Sequence, residues 1–164
     1  MSAQTSYKYD TITAFPGQIV DLAPYAIDTF LNEENDGAMS FGIAVIKGTK
    51  AGEQIKLPAA GSGAGDIEGV TINNLTTERD LSGNVFIRKA AAIGVMRYGR
   101  VYVKVATGVS PAYGDAAYVI KGTDEAGYFT NSSSSTIAIK GRFLSGKDAV
   151  SGAAMVELFN EANS

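Results

Sequence analysis

Arg97-Tyr98-Gly99-Arg100-Val101-Tyr102-Val103-Lys104-Val105 is the stretch from which the fold is read. Val101, Val103 and Val105 alternate with Arg100, Tyr102 and Lys104. Successive side chains of a strand point to opposite faces, so this is a half-buried strand with its valines inward. Its other face is cationic and aromatic. Gly108-Val109-Ser110-Pro111-Ala112-Tyr113-Gly114-Asp115 follows as a turn cluster, and Ala117-Tyr118-Val119-Ile120 reads as the next strand.

Working outward, the same grammar repeats. Nineteen glycines break 164 residues into runs mostly too short for ordinary helices. Phe41–Ile46, Ile55–Leu57, Gly69–Ile72, Ile137–Ile139 and Met155–Phe159 read as short strands, and Val85–Val95 as one bent strand or two. Tyr25, Ile27, Phe30 and Leu31 approximate a helical face, so Pro24–Leu31 reads as one short helix. Met1–Thr13 is polar, carries Tyr7 and Tyr9 in alternation, and reads as an extended arm. The expected fold is therefore all-β: a compact β-sandwich or β-barrel, jelly-roll-like or β-tulip-like, with at most one or two short helices. Residues 1–13 form the arm and 14–164 a single β-rich domain. Val156 and Leu158 are expected to share a core with Val101, Val103 and Val105.

Composition narrows the chemistry. The chain contains no Cys, His or Trp. Disulfides are excluded, the usual zinc ligands are missing, and every Ser-His or Cys-His pair is ruled out. A formal net charge of −3 argues against direct nucleic-acid binding. No apolar run is long enough for a membrane span, and Met1–Asp10 has no apolar core of a secretory signal.

Several motif-like stretches fail on context. Gly61-Ser62-Gly63-Ala64-Gly65 lacks the Lys-Ser/Thr ending of a phosphate loop, and Ile67–Ile72 after it reads as strand rather than helix. Gly65-Asp66-Ile67-Glu68-Gly69 resembles the active-site loop of trimeric dUTP hydrolases but has no nearby Tyr to stack on a sugar. Asn32, Glu34 and Asp36 before Gly37 mimic half a calcium loop, yet the closing position holds Ile43, so a solvated acidic loop is expected. Neither a catalytic site, a cofactor nor a metal is expected. Tyr98, Arg100, Tyr102 and Lys104 have two readings: a solvated face with snorkelling side chains, or a protein interface, for which Tyr and Arg are favoured.

Three segments in order resemble the structural cement or capsid decoration proteins of tailed bacteriophages. They are Phe41–Thr49 with Gln54–Ala60, Gly99–Val105 running through Val109-Ser110-Pro111 and Gly114-Asp115 to Tyr118-Val119, and Gly141–Gly146 with Gly152–Leu158. The family often shows Trp where Tyr102 stands and acidic residues where Ala106 and Thr107 stand. The resemblance implies a small β-rich domain docked outside a capsid lattice of the HK97 type. It would bridge neighbouring major capsid subunits, oppose the pressure of packaged DNA, and self-associate as a trimer or a dimer. It also implies a virion protein of the outer capsid surface, made in the bacterial host cytoplasm, with no nucleic-acid, membrane or cofactor partner. Tyr7, Tyr9, Tyr98, Arg100, Tyr102 and Lys104 are the candidate capsid or protomer contacts. A receptor- or carbohydrate-binding β-domain of a phage tail or fibre stays open as the alternative, with Tyr98, Tyr102, Tyr113 and Tyr118 as stacking surfaces.

Overall fold

In the computed structural model, which describes residues 14–73 and 78–160, the valine-alternating stretch is the second half of a much longer strand. The strands are β1 (Ala26–Asn32), β2 (Ala44–Lys47), β3 (Gln54–Lys56), β4 (Ile67–Thr71), β5 (Glu78–Arg79), β6 (Val85–Phe86), β7 (Ala92–Lys104), β8 (Ala116–Ile120), β9 (Phe129–Thr130), β10 (Thr136–Phe143) and β11 (Ala153–Leu158). Among the described residues the one helical element is a 3₁₀ turn at Ala64–Asp66. The all-β expectation holds.

The 13 residues of β7 span about 40 Å at strand rise, and the two halves serve different walls. Its first half pairs with β4 on one side and β1 on the other, and β1–β3–β2–β4 completes a closed ring with it. Its second half pairs with β11, followed by β10, β8 and β9. A bridge between Val105 and Phe129 brings β9 back to the end of β7. The result is two small barrels that share one strand. Closure leaves few free sheet edges.

Each barrel holds its own apolar cluster. Ile93 and Val95 of β7 pack with Phe30, Met39, Phe41, Ile43, Val45, Ile55 and Ile87 in the first. Met96, Val101, Val103 and Val105 pack with Val119, Phe129, Ile137, Phe143, Val156 and Leu158 in the second. The expected partnership of Val156 and Leu158 with the three valines is therefore present. Odd-numbered residues point into the first barrel before Arg97 and into the second after Gly99. Strict alternation would keep them on one side, so the strand must change parity between the two halves. It does so where Ala26 pairs with Tyr98 but Ile27 pairs with Met96, leaving Arg97 as an extra residue. Gly99 has a φ of +124°, and a Cβ there would lie 2.7 Å from the Cβ of Tyr25. That position is closed to other residues.

One secondary-structure expectation needs correction. Pro24–Leu31 is not a helix: β1 runs over Ala26–Asn32 with Phe30 and Asn32 buried and Leu31 exposed. Two rows of backbone hydrogen bonds, to β7 and β3, override the weak helical spacing, and β-branched Ile27 and Thr29 suit the extended chain. Of the two readings of Val85–Val95, two strands is the one observed, with a turn at 88–91 between them.

The acidic loop after β1 is also more than solvated surface. Asn32 is 1% exposed; its Nδ2 donates to the Arg88 carbonyl at 3.0 Å and its Oδ1 accepts the Glu34 N–H at 3.0 Å. The Glu34 carboxylate accepts the Leu57 N–H at 2.9 Å, and Asp36 accepts the Lys89 N–H at 2.7 Å. These carboxylates tie neighbouring loops to the barrel mouth instead of facing one another across a cation site.

Phe129 is fully buried and sits where β9 closes onto β7. Phe129→Ala is expected to lower stability by about 3–5 kcal/mol in urea unfolding, because deletion leaves a cavity at the closure point. Leu81→Ala, at a fully exposed hairpin tip, is expected to change it by less than about 0.5 kcal/mol. Equal effects at the two positions would contradict this placement of the core.

Candidate functional site

Arg100, Tyr102 and Lys104 lie half-buried on the face of β7 opposite the valines. Strand alternation brings them to that face, and β11 supplies the next row: Glu157 opposite Arg100, Met155 opposite Tyr102 and Ala153 opposite Lys104. β10 places Arg142 on the far side of Glu157. The backbone of residues 17–20 runs along the other edge of β7. The Tyr102 N–H donates to the Gln18 carbonyl at 2.9 Å, and the Tyr102 carbonyl accepts the Gly17 N–H at 2.7 Å.

The charges on this face cancel. The Arg100 guanidinium donates to Asp21 at 2.9 Å and to Glu157 at 3.2 Å. Arg142 donates to the other oxygen of Glu157 at 3.0 Å. The outcome is an Asp21–Arg100–Glu157–Arg142 ladder across the strands. Burial pushes the Glu157 carboxyl up, but the Arg142 and Arg100 guanidinia outweigh it and hold the group below its ordinary range. The Ala23 N–H, then Arg100, lower Asp21, and Asp21 followed by Glu157 raise Arg100. The sequence reads as a cationic face; the structure makes it nearly neutral.

The four β7 candidates do not form one continuous surface. Tyr98 and Arg100 line the same shallow groove with Pro24, Glu157 and Phe159. Tyr102 is flanked by the 17–20 backbone. Lys104 turns inward, donating to the Ser40 hydroxyl at 3.1 Å with its ammonium 5.4 Å from the Tyr128 ring centre. Burial pushes its pKa down. Tyr7 and Tyr9 lie outside the described residues. Sequence reasoning missed Asp21, Glu157 and Arg142. Only the strand register, which sets Arg142 beside Glu157 and Glu157 beside Arg100, reveals them.

No three carboxylates converge on a possible cation position among the described residues. Every buried side-chain polar atom there has a hydrogen-bond partner.

A family model described as "Structural cement protein (E217 gp24/Pam3 gp6)" matches residues 3–159. Among solved structures, the chain is similar to one in "The capsid of Myoviridae Phage XM1", with a TM-score of 0.73 and 19% identity. That similarity covers 98% of this chain and 99% of the other. It shows a shared fold. No curated protein sequence matches.

The ladder predicts a pH dependence. A carboxylate held below its ordinary value of 4.5 in the folded state contributes stability above that value and loses it as pH falls through the lowered one. Glu157→Gln is expected to lower Tm at neutral pH and to shrink the fall in Tm between about pH 6 and pH 3. A fall as steep as that of the unsubstituted protein in thermal melts would contradict the role of Glu157.

Proposed function

The chain belongs to the structural cement protein family, and from that premise we propose that it binds the outside of a bacteriophage head and bridges neighbouring major capsid subunits. In doing so it holds the shell against the pressure of packaged DNA. The observation that carries this reading is the extent of the family match, residues 3–159, which takes in both barrels and most of the sequence before them. The role is structural and the protein resides in the virion. The proposed lattice is of the HK97 type, and the proposed self-association is a trimer.

The physics of the chain suits such work. It has no cysteine to staple its fold, so occupancy of a site that only the folded form can fill adds stability by mass action. Repetition over a lattice raises effective concentration, so each individual contact can be modest. Residues 1–13 carry Tyr7 and Tyr9 two positions apart; in an extended conformation both would face one side, which would suit adding a strand to a neighbouring sheet. Backbone hydrogen bonds would supply affinity, and pockets for alternate side chains would supply fit. The Arg100–Tyr102 face is the second candidate contact. Because its charges are paired internally, it would bind through shape and apolar area more than through attraction.

The test is reconstitution on heads that lack the protein, read by co-sedimentation and by the temperature at which the heads rupture. The full chain is expected to bind and to raise the rupture temperature. Deletion of residues 2–13 is expected to leave the melting of the free protein unchanged while weakening head binding. Arg100→Glu with Tyr102→Ala, tested in parallel, reports on the β7 face. Failure of the full chain to bind heads, or binding without any gain in rupture temperature, would overturn the cement reading. Equal binding by the truncated chain would remove the arm as anchor.

A further inference from the structure

The groove beside the charge ladder has chemistry that the cement role does not use. Tyr98 and Arg100 of β7, Pro24 of the turn before β1, and Glu157, Phe159 and Asn160 at the end of β11 line it. Its volume is about 440 Å³, within the roughly 300–1,000 Å³ of small-molecule sites. It brings Tyr98, one of the tyrosines that the sequence offers as stacking surfaces, together with a second ring, Phe159.

The lining is held in place from several sides. The Asp21 carboxylate accepts the Ala23 N–H at 3.0 Å, which fixes the turn that carries Pro24. The Phe159 N–H donates to the Lys140 carbonyl at 2.9 Å. Arg100 is braced between Asp21 and Glu157. A site whose groups are already ordered loses little entropy when it is filled.

The polar groups select the kind of ligand. Arg100 spends Nε on Glu157 and Nη1 on Asp21. Its Nη2 amino group, the Tyr98 hydroxyl and the Asn160 amide have no hydrogen-bond partner among the described residues. Donors and acceptors therefore stand side by side in the groove. An anion would compete with Asp21 and Glu157 for Arg100, and a cation would compete with Arg100 and Arg142 for Glu157. A neutral molecule with hydroxyls at its rim needs no such exchange. The two rings ask that it also carry an apolar face. A pyranose has both, with C–H groups on the ring face and hydroxyls at the edge. An extended peptide fits less well, because strand addition needs a free backbone edge and the Arg100 carbonyl already accepts the Val20 N–H at 3.1 Å.

We propose that this groove binds a neutral pyranose ring, stacked on Tyr98 with its hydroxyls toward Arg100, Glu157 and Asn160. The inference goes beyond the cement reading and does not rest on it, because the groove belongs to the single chain. A ligand of one ring in an open groove binds with a Kd of about 1 mM.

The test titrates the full chain, isotope-labelled for amide NMR, with the methyl glycosides of glucose, galactose and mannose and with N-acetylglucosamine, up to about 50 mM so that a millimolar site fills. Amide shifts are expected at Gly99, Arg100 and 158–160 with at least one of these sugars. Glucuronate and protonated glucosamine, pyranoses that carry a charge, are expected to bind no tighter. Tyr98→Ala is expected to weaken binding at least about tenfold, with the amide spectrum away from the groove unchanged. Phe159→Ala, near the end of the chain, gives the same reading if Tyr98→Ala does not fold. The inference is overturned by no shift with any neutral sugar, by shifts centred elsewhere, by tighter binding of a charged sugar, or by undiminished binding in the folded variants. Head binding is not part of the readout, so the cement reading stands or falls separately.

Discussion

One strand carries two cores, and that constraint organises the molecule. β7 must present Ile93 and Val95 to the first barrel and Val101, Val103 and Val105 to the second. A slip of one residue would turn a whole set of apolar side chains outward. The extra residue at Arg97 and the positive φ of Gly99 make the change of parity at a fixed point. The neighbours depend on it: β1 and β4 take the first half as their wall, β11 the second, and Tyr25 occupies the space that a side chain at position 99 would need.

The same economy governs the charges. Arg97 sits at the change of parity and pairs with Asp28 at 2.7 Å and Glu68 at 3.0 Å, so the extra residue is itself held in place. Arg100, Glu157 and Arg142 neutralise one another across three strands. Asp115 and Asp148 are spent on turns. Exposed pairs of this kind add little to stability one by one. Their effect along the β7 face is local: Asp21, Arg100, Glu157 and Arg142 neutralise one another within the chain.

Much of the second barrel was legible because its signals are local. Val101, Val103 and Val105 alternate cleanly, and so do Val156 and Leu158 around Glu157, so core and face could be assigned residue by residue. The first half of β7 was not legible. Gly94, Arg97 and Gly99 interrupt its alternation, and the strand reads as two separate pieces until its partners are known. Pro24–Leu31 misled for a related reason. Its four apolar residues fit a helical face about as well as a strand, and the decision was made by β7, some seventy residues later in the chain. Closure of the second barrel rests on the pairing of Val105 with Phe129, which no local pattern announces. At the candidate site, the residue types of the β7 face were visible but its neutrality was not, because Asp21 and Arg142 reach Arg100 and Glu157 only through the register.

The most direct measurement is a cryo-electron microscopy reconstruction of the head that carries this protein. The account predicts density for both barrels on the outer surface of the shell, with each copy touching at least two neighbouring shell subunits. Density confined to the tail, to the inside of the shell, or to a single shell subunit would contradict it.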